Sequence, residues 1–522
     1  MTIFTWLLAA LGHSVGWGIR GNFGHEAGAM MAGCLGTMGA VLLTQRPDWH
    51  RRAAVFAVLG AIGWSFGGSI SYMQVVAYTH SGHWPSQLYG FAALFLTGAC
   101  WGAPGGTGMG IAATWSGRGL ADLFRLTTVV FTAWYLQGWH LLPMLLERLG
   151  NERFRELTYW YDTDWIAAAV ATLVLALWSL PRCNRNAATR LGWAMAIGWW
   201  AGFLVFVNLI GLRMTPPRGD NWAGCTGMII AIYFWSIREK MLVVSLTTLV
   251  CGLCGGLSFA AAPMLKLSLT TSGYDTNWHS VMEQLTGFMH GLGVAWALWL
   301  ANRATRPEMQ SDQITSSEMK VGYFWQSWCV AFVWLFITFV NLWKNAEEWV
   351  KQGAMAARLY GLEVLTWFEF GYVGLSITVC LLLWRHHRRP MALIPDSAIG
   401  KGQLIYLVFL WWICIGNFDR AQVKFADQRL ITEGVIFLNA MLCTALLLLN
   451  QPVPNTFTAS AGSVDNIEKA LRRMGALAIV MAVCGIAFDF AVVRGIFGDK
   501  FAGHASLHIR FGPRNTIQTG PR

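Results

Sequence analysis

Three residues near the middle of the chain, His279, Glu283 and His290, are separated by four and seven positions. On a helix these spacings leave them only about 40° and 20° from alignment, so they form one polar stripe roughly 16 Å long. Imidazole and carboxyl groups on one face can pass or hold a proton close to neutral pH. A second chemistry belongs to Arg20 and Arg213, whose guanidinium forks match the geometry of a carboxylate or phosphate. Around the arginines lie His25 and Glu26 in one case, and Asp220 and Asn221 in the other. The plain alternative for both arginines is snorkelling of a long stem toward an interface.

Other ionisable groups are more scattered. His80, His83, Asp162, Asp164, Asp275 and Asn277 fall in polar connections, while His13, Asn208, Glu369 and Asp489 interrupt apolar sequence. His25, Glu26, His80, His83, His279 and Glu283 are suitable types for zinc, but no compact HExxH signature joins them, so no metal is expected. Cys251 and Cys254 have CxxC spacing beside Gly252, Gly255 and Gly256, where small packing residues are the better reading than redox or zinc chemistry. No nucleotide or other cofactor motif is present. The segment TYWYDTDW, Thr158 to Trp165, sets two acids among aromatic rings, a combination that suits sugar hydroxyls and ring faces.

The elements that must position these groups follow from composition. The chain has 522 residues, 55% of them hydrophobic and 12% charged, and its mean hydropathy is +0.44. A water-soluble domain carries about twice that share of charge. The expected fold is therefore all-α, a polytopic membrane protein with about 15 transmembrane helices, since a span needs about 20 apolar residues. Candidate spans begin near residues 3, 27, 53, 88, 126, 165, 191, 223, 241, 281, 323, 361, 403, 431 and 474. The run at 53–78 reads as one span, and WGAPGGTGMG at 101–110, with Pro104 among its glycines, as a broken helix.

Alternate connections are basic, for example Arg46, Arg51 and Arg52, then Arg118 and Arg125, then Arg238 and Lys240. The positive-inside rule makes these cytoplasmic, with the amino terminus inside and the carboxyl terminus outside a cell membrane, the inner one in a Gram-negative cell. Lys500, Arg510 and Arg514 in the tail run against that side. The net charge of +11 then reflects topology and anionic lipid, with no nucleic-acid partner required.

An internal duplication links the polar groups. GIRGNFGHEAGAMMAGCLGTM from Gly18 recurs loosely as GLRMTPPRGDNWAGCTGM from Gly211, and GGSISY from Gly67 recurs as GGLSF from Gly255. The copies, about 1–115 and 193–301, are six spans apart and so parallel in the membrane. Residues 1–190 hold the first copy and two added helices, 191–301 the second copy, 302–494 a C-terminal bundle and 495–522 a polar tail, all in one polytopic domain.

The function expected is a secondary transporter or permease for a small polar solute, of the sugar or organic-anion class, with proton coupling. Its substrate-binding set would be Arg20, His25, Glu26, Arg213, Asp220, Asn221, His279, Glu283 and His290, around an outward-accessible cavity between the two copies. The rival is a membrane-embedded enzyme at the outer face. It would be a glycosyl or acyl transferase with a lipid-linked donor, or a metal-assisted hydrolase, using Asp162 and Asp164 or His279 and Glu283. A non-catalytic partner subunit is the third reading.

Overall fold

In a computed structural model of the chain, the described residues of the apolar runs read above lie mostly on helix. The structure describes residues 1–23, 25–70, 72–149, 164–212, 220–304, 322–339, 356–388, 398–423, 427–450 and 464–500, with a few single positions between them. In chain order the main helices are α1 (Ile3–Phe23), α2 (His25–Leu42), α3 (Ala53–Gly68), α4 (Met73–Tyr78), α5 (Trp84–Thr114), α6 (Gly117–Leu136), α7 (Asp164–Trp178) and α8 (Ala187–Phe203). They continue with α9 (Asn221–Arg238), α10 (Leu242–Thr270), α11 (Trp278–Ala304), α12 (Tyr323–Ala331), α13 (Val364–Arg388), α14 (Ala398–Val423), α15 (Asp427–Leu449) and α16 (Val464–Val492). Among the described residues one two-stranded hairpin, Arg358–Leu359 with Leu362–Glu363, is the sole sheet. The fold is all-α.

Five helical stretches are long and apolar enough to cross a membrane: Ala187–Leu209, Leu242–Thr270, Val364–Leu381, Thr432–Leu449 and Ile467–Phe497. Their surroundings differ. The apolar part of Leu242–Thr270 is 78% buried and that of Ile467–Phe497 only 17%, so the first is a core helix and the second turns its side chains outward.

Six helices close into a ring in which each packs on the next: α1 on α2, α2 on α3, α3 on α5, α5 on α10, α10 on α11, and α11 back on α1. Small residues allow this. Successive turns of α5 place Gly98, Gly102, Gly106 and Gly110 against the backbone or side chains of Gly255, Cys251, Thr247 and Val244 on α10, where a Cβ would collide. Another face of α5 sets Gly105 against Trp64 and Gly108 against Leu59 of α3. In lipid, where apolar burial gives little drive between helices, such close backbone approach supplies much of the association. Gly287 and Gly291 of α11 lie against Trp17 and Ala10 of α1 in the same way.

Two expectations are corrected by these contacts. Residues 101–110 are not a broken helix but continuous α5, because their glycines are held between α3 and α10. Loss of one backbone donor at Pro104 is tolerated inside that sandwich. The run 53–78 is not one span: it ends as α3 at Gly68 and resumes as α4 at Met73, with Tyr72 at the corner.

The hairpins α1/α2 and α8/α9 pack alike. Gly16 lies on Ala32 and Gly36 on His13 in the first; Gly202 lies on Ala223 and Gly227 on Gly198 in the second. The second hairpin stands outside the ring, against α10, α5 and α6. The C-terminal helices are tied to the core by polar contacts: the Gln284 side chain donates to the Thr432 carbonyl at 3.1 Å, and the Asn439 amide donates to the Ser14 hydroxyl at 3.5 Å.

Candidate functional site

The ring has a polar centre near one end. Arg20 sits in the last turn of α1, where the unpaired carbonyls of the helix end favour a cation. Glu283 projects from α11 at the same level, because α1 and α11 run antiparallel with Gly18 set against Gln284 and Gly287 against Trp17. The Arg20 Nη2 group donates to Glu283 Oε1 in a short ion pair and to the Tyr72 hydroxyl at 2.7 Å. Tyr72 in turn donates to Glu283 Oε1 at 2.6 Å. The Arg20 and Glu283 side chains are 2% and 5% exposed, so the charges are neutralised by each other and not by water.

Aromatic faces complete the enclosure. The Arg20 guanidinium carbon lies 5.1 Å from the Trp101 ring centroid, 5.3 Å from that of Trp17 and 5.5 Å from that of Tyr72, distances at which the negative ring faces attract a cation. Desolvating a carboxylate and a guanidinium costs several kcal/mol per ion before their attraction offsets it. A pair kept under that cost is a candidate for function more than for stability.

Two turns further along α11, His290 lies in a cage of rings. His13 of α1 stacks on it with centroids 5.6 Å apart and planes at 21°; Trp17 is 4.7 Å and Phe259 5.6 Å away. The Trp64 indole nitrogen is 3.4 Å from His290 Nδ1. Both nitrogens of His13 are buried without a hydrogen-bond partner. A neutral imidazole always carries one N–H, and leaving such a donor unmet costs about 1–3 kcal/mol.

Toward the other side of Glu283 the stripe reaches the surface. His279, with its side chain 32% exposed, places Nε2 3.5 Å from Glu283 Oε1. It also lines an open hollow of about 460 Å³ with Lys266, Thr270, Tyr274, Asp275 and Asn277. His80, in the connection after α4, is pushed below the ordinary imidazole range by burial, aided by the charge of Lys266. His83 bonds Ser86 at 2.9 Å near the start of α5.

The structure thus joins Arg20, His279, Glu283 and His290 in one column. Arg20, Glu283 and His290 are buried among side chains, and His279 lines the hollow. Arg213 lies outside the described residues, as does Asp162. His25 and Glu26 begin α2, but their side chains are outside the described set. Asp220 and Asn221 are buried at the start of α9, apart from the ion pair. Asn221 accepts from Trp199 at 2.9 Å and donates to Ser69, which follows α3 directly and lies three residues before Tyr72. The α3–α4 corner therefore receives a polar side chain from each hairpin.

The remaining candidates are dispersed. Asp164 opens α7, Asn208 and Glu369 are exposed, and Asp489 is buried on α16. Cys251 and Cys254 are free thiols set against Gly102 and Gly293 respectively. Among the described residues no three His, Cys, Asp or Glu side chains converge as a metal would require.

Sequence reasoning missed Tyr72 and the aromatic walls. A signal was available for Tyr72, which ends GGSISY as Phe259 ends GGLSF. The two rings meet edge to face, with centroids 5.1 Å apart and planes at 74°. Trp17, Trp64 and Trp101 carry no such mark among 29 tryptophans. In comparisons with known proteins, the chain matches no family model, no curated protein and no solved structure.

Proposed function

We propose that this protein is a proton-coupled secondary permease for a small polar solute, with Arg20, Tyr72 and Glu283 at its centre in an occluded state. The observation that carries this reading is the Arg20–Glu283 pair, buried in a closed ring of apolar helices and connected through His279 to a surface hollow. An ionisable group at such depth persists where it serves a pathway or a proton relay. The hollow is the outward vestibule, the pair is the gate, and the His13–His290 stack lies on the path beyond it.

The parallel duplication supports the same reading. Matched glycine contacts in the two hairpins, and the meeting of Tyr72 with Phe259, are what two copies of one motif facing each other would give. About 15 helices cross the membrane, with basic loops cytoplasmic, the amino terminus inside and the carboxyl terminus outside. In vesicles holding purified protein and a lumenal pH dye, addition of a transported solute acidifies the lumen. Glu283→Gln abolishes that acidification while the protein still inserts. If the variant acidifies at the wild-type rate, Glu283 is not the coupling group and the permease mechanism is wrong.

A further inference from the structure

We infer that the Glu283 carboxylate is an internal stand-in for a substrate carboxylate, so that the solute is a small carboxylate anion taken up with one proton. This rests on the permease reading and names its solute. The receptor is already built. Arg20 and the Tyr72 hydroxyl both contact Glu283 Oε1, and the rings of Trp17, Tyr72 and Trp101 surround the guanidinium. Those are the groups that would recognise a free carboxylate with a short apolar stem: a fork donor, a hydroxyl donor and aromatic walls.

The exchange follows from charge conservation at a buried place. When an incoming carboxylate takes the Arg20 fork and the Tyr72 hydroxyl, the Glu283 carboxylate loses both partners. It remains on α11 amid buried side chains, where an unpaired anion is unstable. It can leave that state only by taking a proton, and His279, half-exposed at the hollow and 3.5 Å away, is placed to deliver one. Among the described residues, the titratable or charged groups facing Glu283 are Arg20 from α1, Tyr72 from the α3–α4 corner and His279 on α11 itself. His13 and His290 lie deeper. The anion and the proton therefore come together: Arg20 gains a partner as Glu283 becomes a neutral acid, and the site carries no net added charge. Lys266 in the hollow adds a positive field at its mouth. The order of events gives the coupling, since neither ligand alone leaves all the groups satisfied.

The test uses full-length protein purified in detergent, melted in the presence of sodium lactate or sodium malonate. Lactamide, malonamide and mannitol are the uncharged controls. Carboxylates should raise the melting midpoint saturably, and amides should not. Glu283→Gln, which keeps the shape but is no longer an anionic competitor, should bind the carboxylate at least about tenfold more tightly. Glu283→Ala should do the same where it folds. Arg20→Gln should abolish the effect in every background. In weak buffer with a pH dye, wild type should take up one proton per carboxylate bound, and Glu283→Gln none.

Weaker carboxylate binding by Glu283→Gln, equal stabilisation by the amides, or no carboxylate binding by any form overturns the inference. If mannitol binds and drives lumenal acidification while carboxylates do neither, the permease stands and the carboxylate class falls. If carboxylates bind more tightly to Glu283→Gln but no solute moves protons into vesicles, the receptor stands and the permease falls.

Discussion

At the scale of residues, the ion pair should behave as a unit whose parts cannot be removed singly. Arg20→Gln leaves Glu283 as an uncompensated buried charge and should cost about 3–5 kcal/mol. Tyr72→Phe removes two hydrogen bonds, one accepted from Arg20 and one donated to Glu283, and should cost about 1–3 kcal/mol. Urea or thermal unfolding in micelles compares them; equal small losses would mean that water reaches the pair. At the opposite end of α11, Arg46 donates to both oxygens of Asp48, at 2.8 and 2.6 Å, and to Asn302 at 3.3 Å. Burial works against the Asp48 charge, but the hydrogen bond and charge of Arg46 outweigh it and hold the carboxyl below its usual range. Neighbouring His50 is pushed below the usual imidazole range, chiefly by burial. The signs agree. A depressed carboxyl gives stability that is present above about pH 4 and lost as pH falls through its folded value. A depressed imidazole gives stability that begins to fall once pH drops below about 6.5, because the unfolded chain takes the proton first. Melting midpoints should thus decline from about pH 6.5 downward, and His50→Gln should flatten the upper part of that decline.

At the scale of elements, the contact between α5 and α10 is where substitution should be least tolerated. Gly98→Leu or Gly102→Leu would push the α5 backbone off the Gly255 or Cys251 carbonyl and should cost at least about 3 kcal/mol. Gly371→Ala on α13, with open space around it, should gain about 0.5–1 kcal/mol from reduced backbone freedom. Equal effects at both places would contradict the packing described. This contrast also explains what could be read in advance. Apolar length and the loss of water as a hydrogen-bond partner located the helices, because those constraints act segment by segment. The continuity of α5 through Pro104 was hidden, since it depends on two partner helices distant in sequence. Glu283 and His290 were legible as a stripe because helical spacing alone sets their common face. Tyr72 was not, because a break after Gly68 turns it into the core from what reads as one apolar run.

At the scale of the whole molecule, the ring leaves α8/α9 and α16 on the outside: α1, α2, α3 and α5 from residues 1–115 supply four of its helices, and α10 and α11 from residues 193–301 supply two. Arg213, expected to stand beside Arg20 in the substrate-binding set, falls outside the described residues, and from that side of the fold Asn221 reaches the α3–α4 corner. Sidedness is open to direct test. Cys183 is exposed near the start of α8, and Asp275 lies in the connection at the far end of α10. In intact cells an impermeant maleimide should label Asp275→Cys and spare Cys183; labelling of both or of Cys183 alone would reverse the topology. The most direct measurement of the mechanism is infrared difference spectroscopy of the purified protein, with and without lactate, read in the carbonyl region of protonated carboxyls. A new carboxylic-acid band should appear on binding in wild type and be missing in Glu283→Gln. If lactate binds with no such band, or the band survives in Glu283→Gln, the proton does not come to rest on Glu283 and the exchange at Arg20 does not occur.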